Sequence, residues 1–114
     1  MQTHVWQLAM EVCATVNKLA SRLPSTERYE LASQLRRAAA SIPSNIAEGS
    51  VGTTRVYINH LRIALGSEAE LKTQLHLAVR LRYVDEAEVA DVLSRISEVG
   101  RMLRGLMKSL ARRL

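Results

Sequence analysis

The segment QLRRAAASIPSNIAEGS, residues 34–50, decides the fold, because it carries two helical stripes that continue past a single proline. Apolar residues at steps of three and four share one helical face: Leu31, Leu35, Ala38, Ile42 and Ile46. Polar residues at steps of seven, four and three form a second line beside it: Gln34, Ser41, Asn45 and Glu48. Because the spacing persists beyond Pro43, we predict one helix kinked at that proline.

Similar periodicity on both sides of this segment predicts three further helices. The first helix is predicted to run from His4 to about Arg22, before Pro24, and the second from a cap at Ser25 or Thr26 to a stop at Gly49. The third is predicted to run from a cap at Thr53 or Thr54 to about Leu81. The fourth begins after a cap at Asp85, with Glu88 three residues on. Four helices with short loops imply an all-α, antiparallel up-and-down four-helix bundle, a single domain over residues 1–114. Gly66, inside the third helix, is expected to mark a close backbone approach.

Composition supports a globular chain of one domain. The 114 residues are 47% hydrophobic and 24% charged, with only five glycines and two prolines, which is typical of a packed helical protein. The lone cysteine, Cys13, excludes an intrachain disulfide. We expect a cytoplasmic protein, because no secretory signal and no run long enough to span a bilayer are visible.

The second and third helices carry the motifs QLRRAAASIPSNIAEG (34–49) and INHLRIALGSEAELKTQL (58–75). With them the chain resembles, over nearly its whole length, the bacterial four-helix-bundle family encoded in intervening sequences of 23S ribosomal RNA genes. That family is similar to the accessory variability protein of diversity-generating retroelements. The resemblance implies a ring-like homopentamer without known enzyme activity. For the retroelement relatives it implies binding of nucleic acid and reverse transcriptase through a basic surface.

One departure from the family concerns the loop between the two motifs. The family usually carries several basic residues there, whereas residues 50–55 of this chain keep only Arg55. If that loop contacts nucleic acid in relatives, this protein has lost much of the contact.

The polar lines of the second and third helices predict a network between neighbouring helices. The third-helix line consists of His60, Ser67, Glu70 and Gln74. We predict that the network members interact within or between subunits: Gln34, Arg37, Ser41, Asn45, Glu48, Ser67 and Glu70. Because buried polar groups need partners, a structural role that sets register is favoured over a ligand site.

No catalytic or cofactor motif stands out. A di-metal site in a bundle needs Glu-x-x-His pairs, and no Glu here has a His three residues later, so we expect no metal and no cofactor. Arg55 and His60 match the Arg-x4-His pattern of some small all-helical ribonucleases. With 13 Arg and three His, such a match is expected about once by chance, so His60 is favoured as part of the polar line.

The net charge of +5 is concentrated in residues 95–114, which hold six basic residues and one acid. Four cations there, at steps of three, four and four, share the face opposite the apolar stripe: Arg101, Arg104, Lys108 and Arg112. Together with Arg55 they are candidate phosphate contacts. From the sequence alone, a solvated face whose last-turn cations suit the helix dipole is the favoured interpretation, and the resemblance adds weight to the phosphate contacts.

These patterns favour a non-catalytic, homo-oligomeric binding or scaffold protein. The expected partners are further copies of the chain, and RNA, DNA or a nucleic-acid enzyme. No membrane or small-molecule partner is indicated. A purely structural assembly module and a small ribonuclease using Arg55 and His60 are the alternatives.

Overall fold

The structure is a computed structural model that describes residues 3–27 and 30–114. Its four α-helices are α1 (His4–Ala20), α2 (Leu31–Ser50), α3 (Thr54–Arg80) and α4 (Glu86–Ala111), and a short 3-10 turn covers Ser25–Glu27. α2 packs on α1 and α3, and α4 packs on α3 and α1, so consecutive helices are neighbours in the bundle. The predicted all-α four-helix bundle is confirmed. None of the described helices carries an apolar stretch that could cross a bilayer.

The core is aliphatic, as the scarcity of aromatic residues requires. The apolar stripe of α2 is buried along its whole length, with Leu35, Ile42 and Ile46 fully inaccessible to solvent. Leu61 of α3 and Leu103 of α4 are equally buried, so these helices contribute to one shared core. Burial of this many Leu, Ile, Val and Ala side chains is the main favourable term in folding.

α2 runs without interruption from Leu31 to Ser50 with Pro43 buried inside it. The helix therefore continues past the proline, as the spacing predicts, while the kink itself stays a prediction. Beside the proline, the amide Nδ2 of Asn45 donates a hydrogen bond of 2.8 Å to the carbonyl oxygen of Ser41. The carbonyl that lacks a donor because Pro43 has no N–H is that of Ala39, so this bond adds to the helix beside the proline and does not replace the missing one.

The predicted start of α2 is wrong. Ser25 lies in the 3-10 turn, and α2 begins only at Leu31, with no side-chain hydrogen bond at its N-cap, Glu30. The carboxylate of Glu27 accepts a 2.8 Å hydrogen bond from the hydroxyl of Tyr83, in the link between α3 and α4. This bond joins two turns at one end of the bundle, a tertiary contact that local capping signals do not contain.

The two glycine predictions have different outcomes. α2 ends at Ser50, so the predicted stop at Gly49 is confirmed to within one residue, although no glycine of the described chain has the positive φ of a glycine cap. A Cβ at Gly49 would lie 2.7 Å from the Cβ of His60, so this glycine permits close contact between α2 and α3. Gly66, predicted to mark such an approach, has no heavy atom within 4 Å of the corresponding position.

Two predicted N-caps are confirmed. Thr53 caps α3, and its hydroxyl accepts a hydrogen bond from the N–H of Val56 at 3.3 Å. Asp85 is the N-cap of α4, and its N–H donates to the carboxylate of Glu88 at 2.8 Å, the reciprocal bond of a capping box. Glu88 also pairs with Arg22, which ties the start of α4 to the end of α1.

We expect Glu88→Gln to lower the melting temperature at pH 7. The hydrogen bond from the Asp85 N–H, with the nearby Arg22 guanidinium, lowers the pKa of Glu88 despite partial desolvation. A carboxylate whose pKa is depressed by folding contributes stability above its unfolded pKa, about 4.3, and loses it as the pH falls through the folded pKa. The difference in melting temperature between Glu88→Gln and the natural chain should therefore be smaller at about pH 2.5 than at pH 7, as measured by thermal melts followed by circular dichroism. Equal differences at both pH values would contradict this assignment. Glu86→Gln, on the same exposed turn, is the control.

Candidate functional site

The antiparallel arrangement of α3 and α4 brings the predicted nucleic-acid contacts to one end of the bundle. The two helices have 27 and 26 residues and a short link, so the last turn of α4 returns to the first turn of α3. Arg55, at the start of α3, therefore lies at the same end as Arg112, the C-cap residue of α4. Arg101, Arg104 and Lys108 continue from there along the exposed face of α4. We call these five residues the basic end, and its four α4 members the basic stripe.

Most of the charge of the basic end is not neutralised within the protein. Arg101 pairs with Glu98, one turn away on α4. Among the described residues, no acidic side chain comes within 4.0 Å of Arg55, Arg104, Lys108 or Arg112. These cations are exposed to solvent and available to an anionic partner.

Acidic residues gather toward the opposite end of α4. Asp85, Glu86 and Glu88 lie at its N-terminus, and Asp91 follows about one turn later. Asp91 pairs with Arg95 at 3.1 Å. The charge of α4 is thus separated along the long dimension of the molecule, which measures 46 Å. This separation is confined to α4, because the exposed cations Arg22, Arg80 and Arg82 lie beside its acidic N-terminus. An anionic partner is therefore attracted to the C-terminal part of α4.

Three of the predicted network residues meet at the contact of α2 with α3, which we call the polar seam. The hydroxyls of Ser41 and Ser67 are 2.8 Å apart, and Asn45 Nδ2 is 3.1 Å from the Ser41 hydroxyl. His60 joins them, with its Nδ1 2.9 Å from Asn45 Oδ1. The seam therefore links one turn of α2 to two turns of α3 through side-chain hydrogen bonds.

The seam also defines the proton on His60. Asn45 Nδ2 donates to the Ser41 carbonyl, which can only accept, so Asn45 Oδ1 is the atom that faces His60. That oxygen in turn only accepts, so Nδ1 of His60 carries a proton and donates it. Glu48 Oε2 lies 3.7 Å from the same nitrogen. The predicted network omits His60, although its place on the α3 polar line is the signal for it.

The remaining network members lie near the seam without joining it. Gln34, Arg37 and Glu70 line an open groove of about 230 Å³ beside Ser41 and Ser67. No ion pair within 4.0 Å forms between Arg37 and Glu70, both of which are described and exposed. The structural role of the seven-residue network stays a prediction.

Sequence reasoning missed the buried carboxylate of Glu68. Its side chain is 2% exposed and faces Gly100 of α4, where an added Cβ would lie 2.6 Å from Oε2. Lys72 Nζ is 3.3 Å from Oε2, yet that oxygen has no hydrogen-bond partner among the described residues. The signal was available, because Glu68 stands three and four residues from Leu71 and Ala64 on the apolar stripe of α3.

Gln74 is a second buried polar side chain of α3. It belongs to the predicted polar line, yet it is only 7% exposed. Its Oε1 has no hydrogen-bond partner among the described residues. Such unpartnered buried atoms are costly to folding, and α3 carries two of them.

The geometry of Arg55 and His60 gives little support to the ribonuclease alternative. Five residues apart on α3, they are separated by about 140° around the helix axis, and His60 Nδ1 is engaged by Asn45. Burial raises the pKa of the Cys13 thiol, which disfavours the reactive thiolate. In the described ranges, no group of three or more His, Cys, Asp or Glu side chains is arranged to hold a metal ion.

The class of protein is thus a four-helix bundle with a polar seam between α2 and α3 and a row of exposed cations on α4. The chain belongs to the 23S rRNA-intervening sequence protein family, whose model matches residues 1–105. It is also similar to the crystal structure of a protein of unknown function from the S23 ribosomal protein family of Bacteroides thetaiotaomicron. That similarity has a TM-score of 0.83 and 25% identity, and covers 91% of this chain and 98% of the other. None of the curated proteins matches this chain.

Proposed function

We propose that this protein is a non-catalytic, homo-oligomeric scaffold that binds nucleic acid through its basic end. The observation that carries the proposal is the gathering of exposed cations at that end, four of which have no acidic neighbour within 4.0 Å in the described chain. Neutralising phosphates with such cations releases condensed counterions, which drives binding without sequence preference. The family's name, which refers to ribosomal RNA genes, is consistent with a nucleic-acid partner.

A feature of α3 supports assembly from several copies. Val56, Ile63 and Leu77 lie seven and fourteen residues apart, so they share one face, and they are 42%, 47% and 44% exposed. The exposed Glu70 takes the remaining position of this seven-residue series, so the face is apolar at three of its four positions. A helix of a second copy could pack on it. The resemblance favours five copies, which would repeat the basic end five times and multiply weak contacts through avidity.

The test combines a mass measurement with a binding measurement on the full chain. Light scattering should give a multiple of the 12.7 kDa protomer, and a labelled 30-nucleotide RNA hairpin should be retarded in gels at about 50 mM salt and released at about 300 mM. The double variant Arg104→Gln/Lys108→Gln should weaken binding and lower the salt dependence by about two units of slope for each bound protomer. Lys18→Gln/Arg80→Gln removes the same charge elsewhere and should bind as the natural chain does.

Four outcomes would contradict the proposal. A monomer in light scattering overturns the assembly, and absence of any retardation at low salt overturns nucleic-acid binding. Equal losses in the two double variants show that net charge, not the basic end, attracts RNA. If the hairpin is cleaved, and His60→Ala abolishes cleavage, the ribonuclease alternative replaces the scaffold.

A further inference from the structure

The row of cations on α4 has a geometry that points to one form of nucleic acid. The basic stripe, from Arg101 to Arg112, advances about 16 Å along a single straight helix. The phosphates of one strand of a duplex advance about 3.4 Å along the axis at each step while they wind around it, so a straight row of this length runs beside a short series of phosphates. Because both the helix and a duplex are rigid, the cations can contact the phosphates without the loss of conformational entropy that a flexible single strand would undergo on binding.

Helix electrostatics account for only part of this stripe. Cations favour the last turn of a helix because they interact with its dipole, and that covers Lys108 and Arg112. Arg101 and Arg104 lie two to three turns from the C-terminus of the helix, beyond the reach of that effect. The stripe is therefore longer than helix stability requires.

The described aromatic residues do not offer a platform for unstacked bases. Proteins that bind single strands without sequence preference stack bases on exposed aromatic rings. Trp6, Tyr57 and Tyr83 are each partly buried and packed against the core. Tyr83 also donates its hydroxyl to Glu27 at the opposite end of the bundle. Recognition at the basic stripe therefore depends on phosphates and not on bases.

Gly105 adds room for a close approach. It is exposed within the basic stripe, between Arg104 and Lys108, and no heavy atom lies within 4 Å of the position its Cβ would take. A phosphate backbone can thus come closer to the helix here than any other residue would allow. A mid-helix glycine costs about 1 kcal/mol against alanine, so its presence in the stripe calls for a reason outside folding.

From these observations we infer that the basic stripe binds the phosphodiester backbone of a double-stranded nucleic acid in preference to a single strand. This inference rests on the proposed function and specifies its partner. The pair of Arg101 with Glu98 is exposed and therefore weak, so Arg101 can exchange it for a phosphate. Four cations then release about 0.9 counterion per phosphate from a duplex and about 0.7 from a single strand, which gives about a tenfold preference for the duplex near 50 mM salt.

The test measures binding of the full chain to three labelled nucleic acids by fluorescence anisotropy. These are a 20-base-pair RNA duplex, a DNA duplex of the same sequence, and one strand of the duplex without its complement. We expect both duplexes to bind at least about tenfold more tightly than the strand at 50 mM salt. Arg104→Gln/Lys108→Gln should remove most of that preference, and Lys18→Gln/Arg80→Gln should keep it. Gly105→Leu, which changes no charge, should weaken binding of the two duplexes and leave binding of the single strand unchanged.

Failure of the inference is distinguishable from failure of the proposed function. Equal or tighter binding of the single strand overturns the duplex preference and leaves nucleic-acid binding intact. If Arg104→Gln/Lys108→Gln keeps the preference for duplexes, that preference belongs to another surface, and this result also overturns the inference. If none of the three nucleic acids binds, the proposed function itself fails.

Discussion

Replacing Gly49 with alanine should lower the free energy of unfolding by about 3 kcal/mol, the upper part of the range for overpacked sites. The new Cβ would lie 2.7 Å from the Cβ of His60 and 3.2 Å from the Cα of Tyr57. Neither atom sits at the end of a flexible side chain, so the clash is relieved only if α2 and α3 move apart. That movement would also stretch the polar seam at Asn45 and His60. Urea unfolding followed by circular dichroism measures the loss.

Gly105→Ala is the matched control for this prediction. It makes the same substitution at a helical glycine with no heavy atom within 4 Å of the added Cβ. Since alanine is a better helix former than glycine, the free energy of unfolding should rise by up to about 1 kcal/mol. The two variants therefore differ in sign. An unchanged or higher stability of Gly49→Ala would mean that the two helices are less tightly packed at this point than the distances indicate.

The same pair of glycines shows which part of the fold the sequence predicts. The helices follow from periodicity, because burial of the apolar stripe through Ile42 and Ile46 is a property of one helix. The role of Gly49 depends on which residues of α3 lie opposite, and no local pattern contains that register. Local signals predict the end of α2 near Gly49, but for this reason they assign the close approach to Gly66 and not to Gly49.

The candidate site divides in a similar way. The basic stripe is visible in the sequence, because four exposed cations on one helix need only helical spacing. Contacts between helices are predicted only in part. Ser41 and Ser67 meet, as the two polar lines indicate, whereas Arg37 and Glu70 only line the same groove. Long exposed side chains have many rotamers, so their pairing does not follow from backbone register.

The stability of the protein should change in opposite directions when Glu68 or its ion-pair partner Lys72 is replaced by an apolar residue. Glu68 is 2% exposed, whereas the Lys72 side chain is 35% exposed. Removing Glu68 leaves an ammonium group that can extend into water along its flexible stem. Removing Lys72 leaves a carboxylate inside the bundle without a counter-charge, and burial of an unpaired charge is strongly unfavourable.

Glu68→Met should therefore raise the free energy of unfolding by about 1–3 kcal/mol, because an unbranched apolar side chain replaces a desolvated charge whose Oε2 has no hydrogen-bond partner in the described chain. Lys72→Met should lower it by about 2–3 kcal/mol, somewhat less than for fully buried pairs because Lys72 is partly exposed. Both variants receive the same residue, so differences in helix propensity are small. Urea unfolding at pH 7 checks the two signs.

If Glu68→Met is the more stable variant, the natural chain retains a carboxylate that costs stability, and its role has to be sought in specificity. Gly100 gives this carboxylate its room in the native register of α3 against α4, because an added Cβ would lie 2.6 Å from Oε2. In a neighbouring register the charged carboxylate would meet apolar side chains of α4, whereas methionine, which is apolar and flexible, packs against them at lower cost. The apolar variant should therefore show extra or broadened amide resonances in NMR spectra despite its higher stability. A single sharp set of resonances from Glu68→Met would show that aliphatic packing alone holds the register. A loss of stability in Glu68→Met would show that the pair with Lys72 is a net contribution to folding.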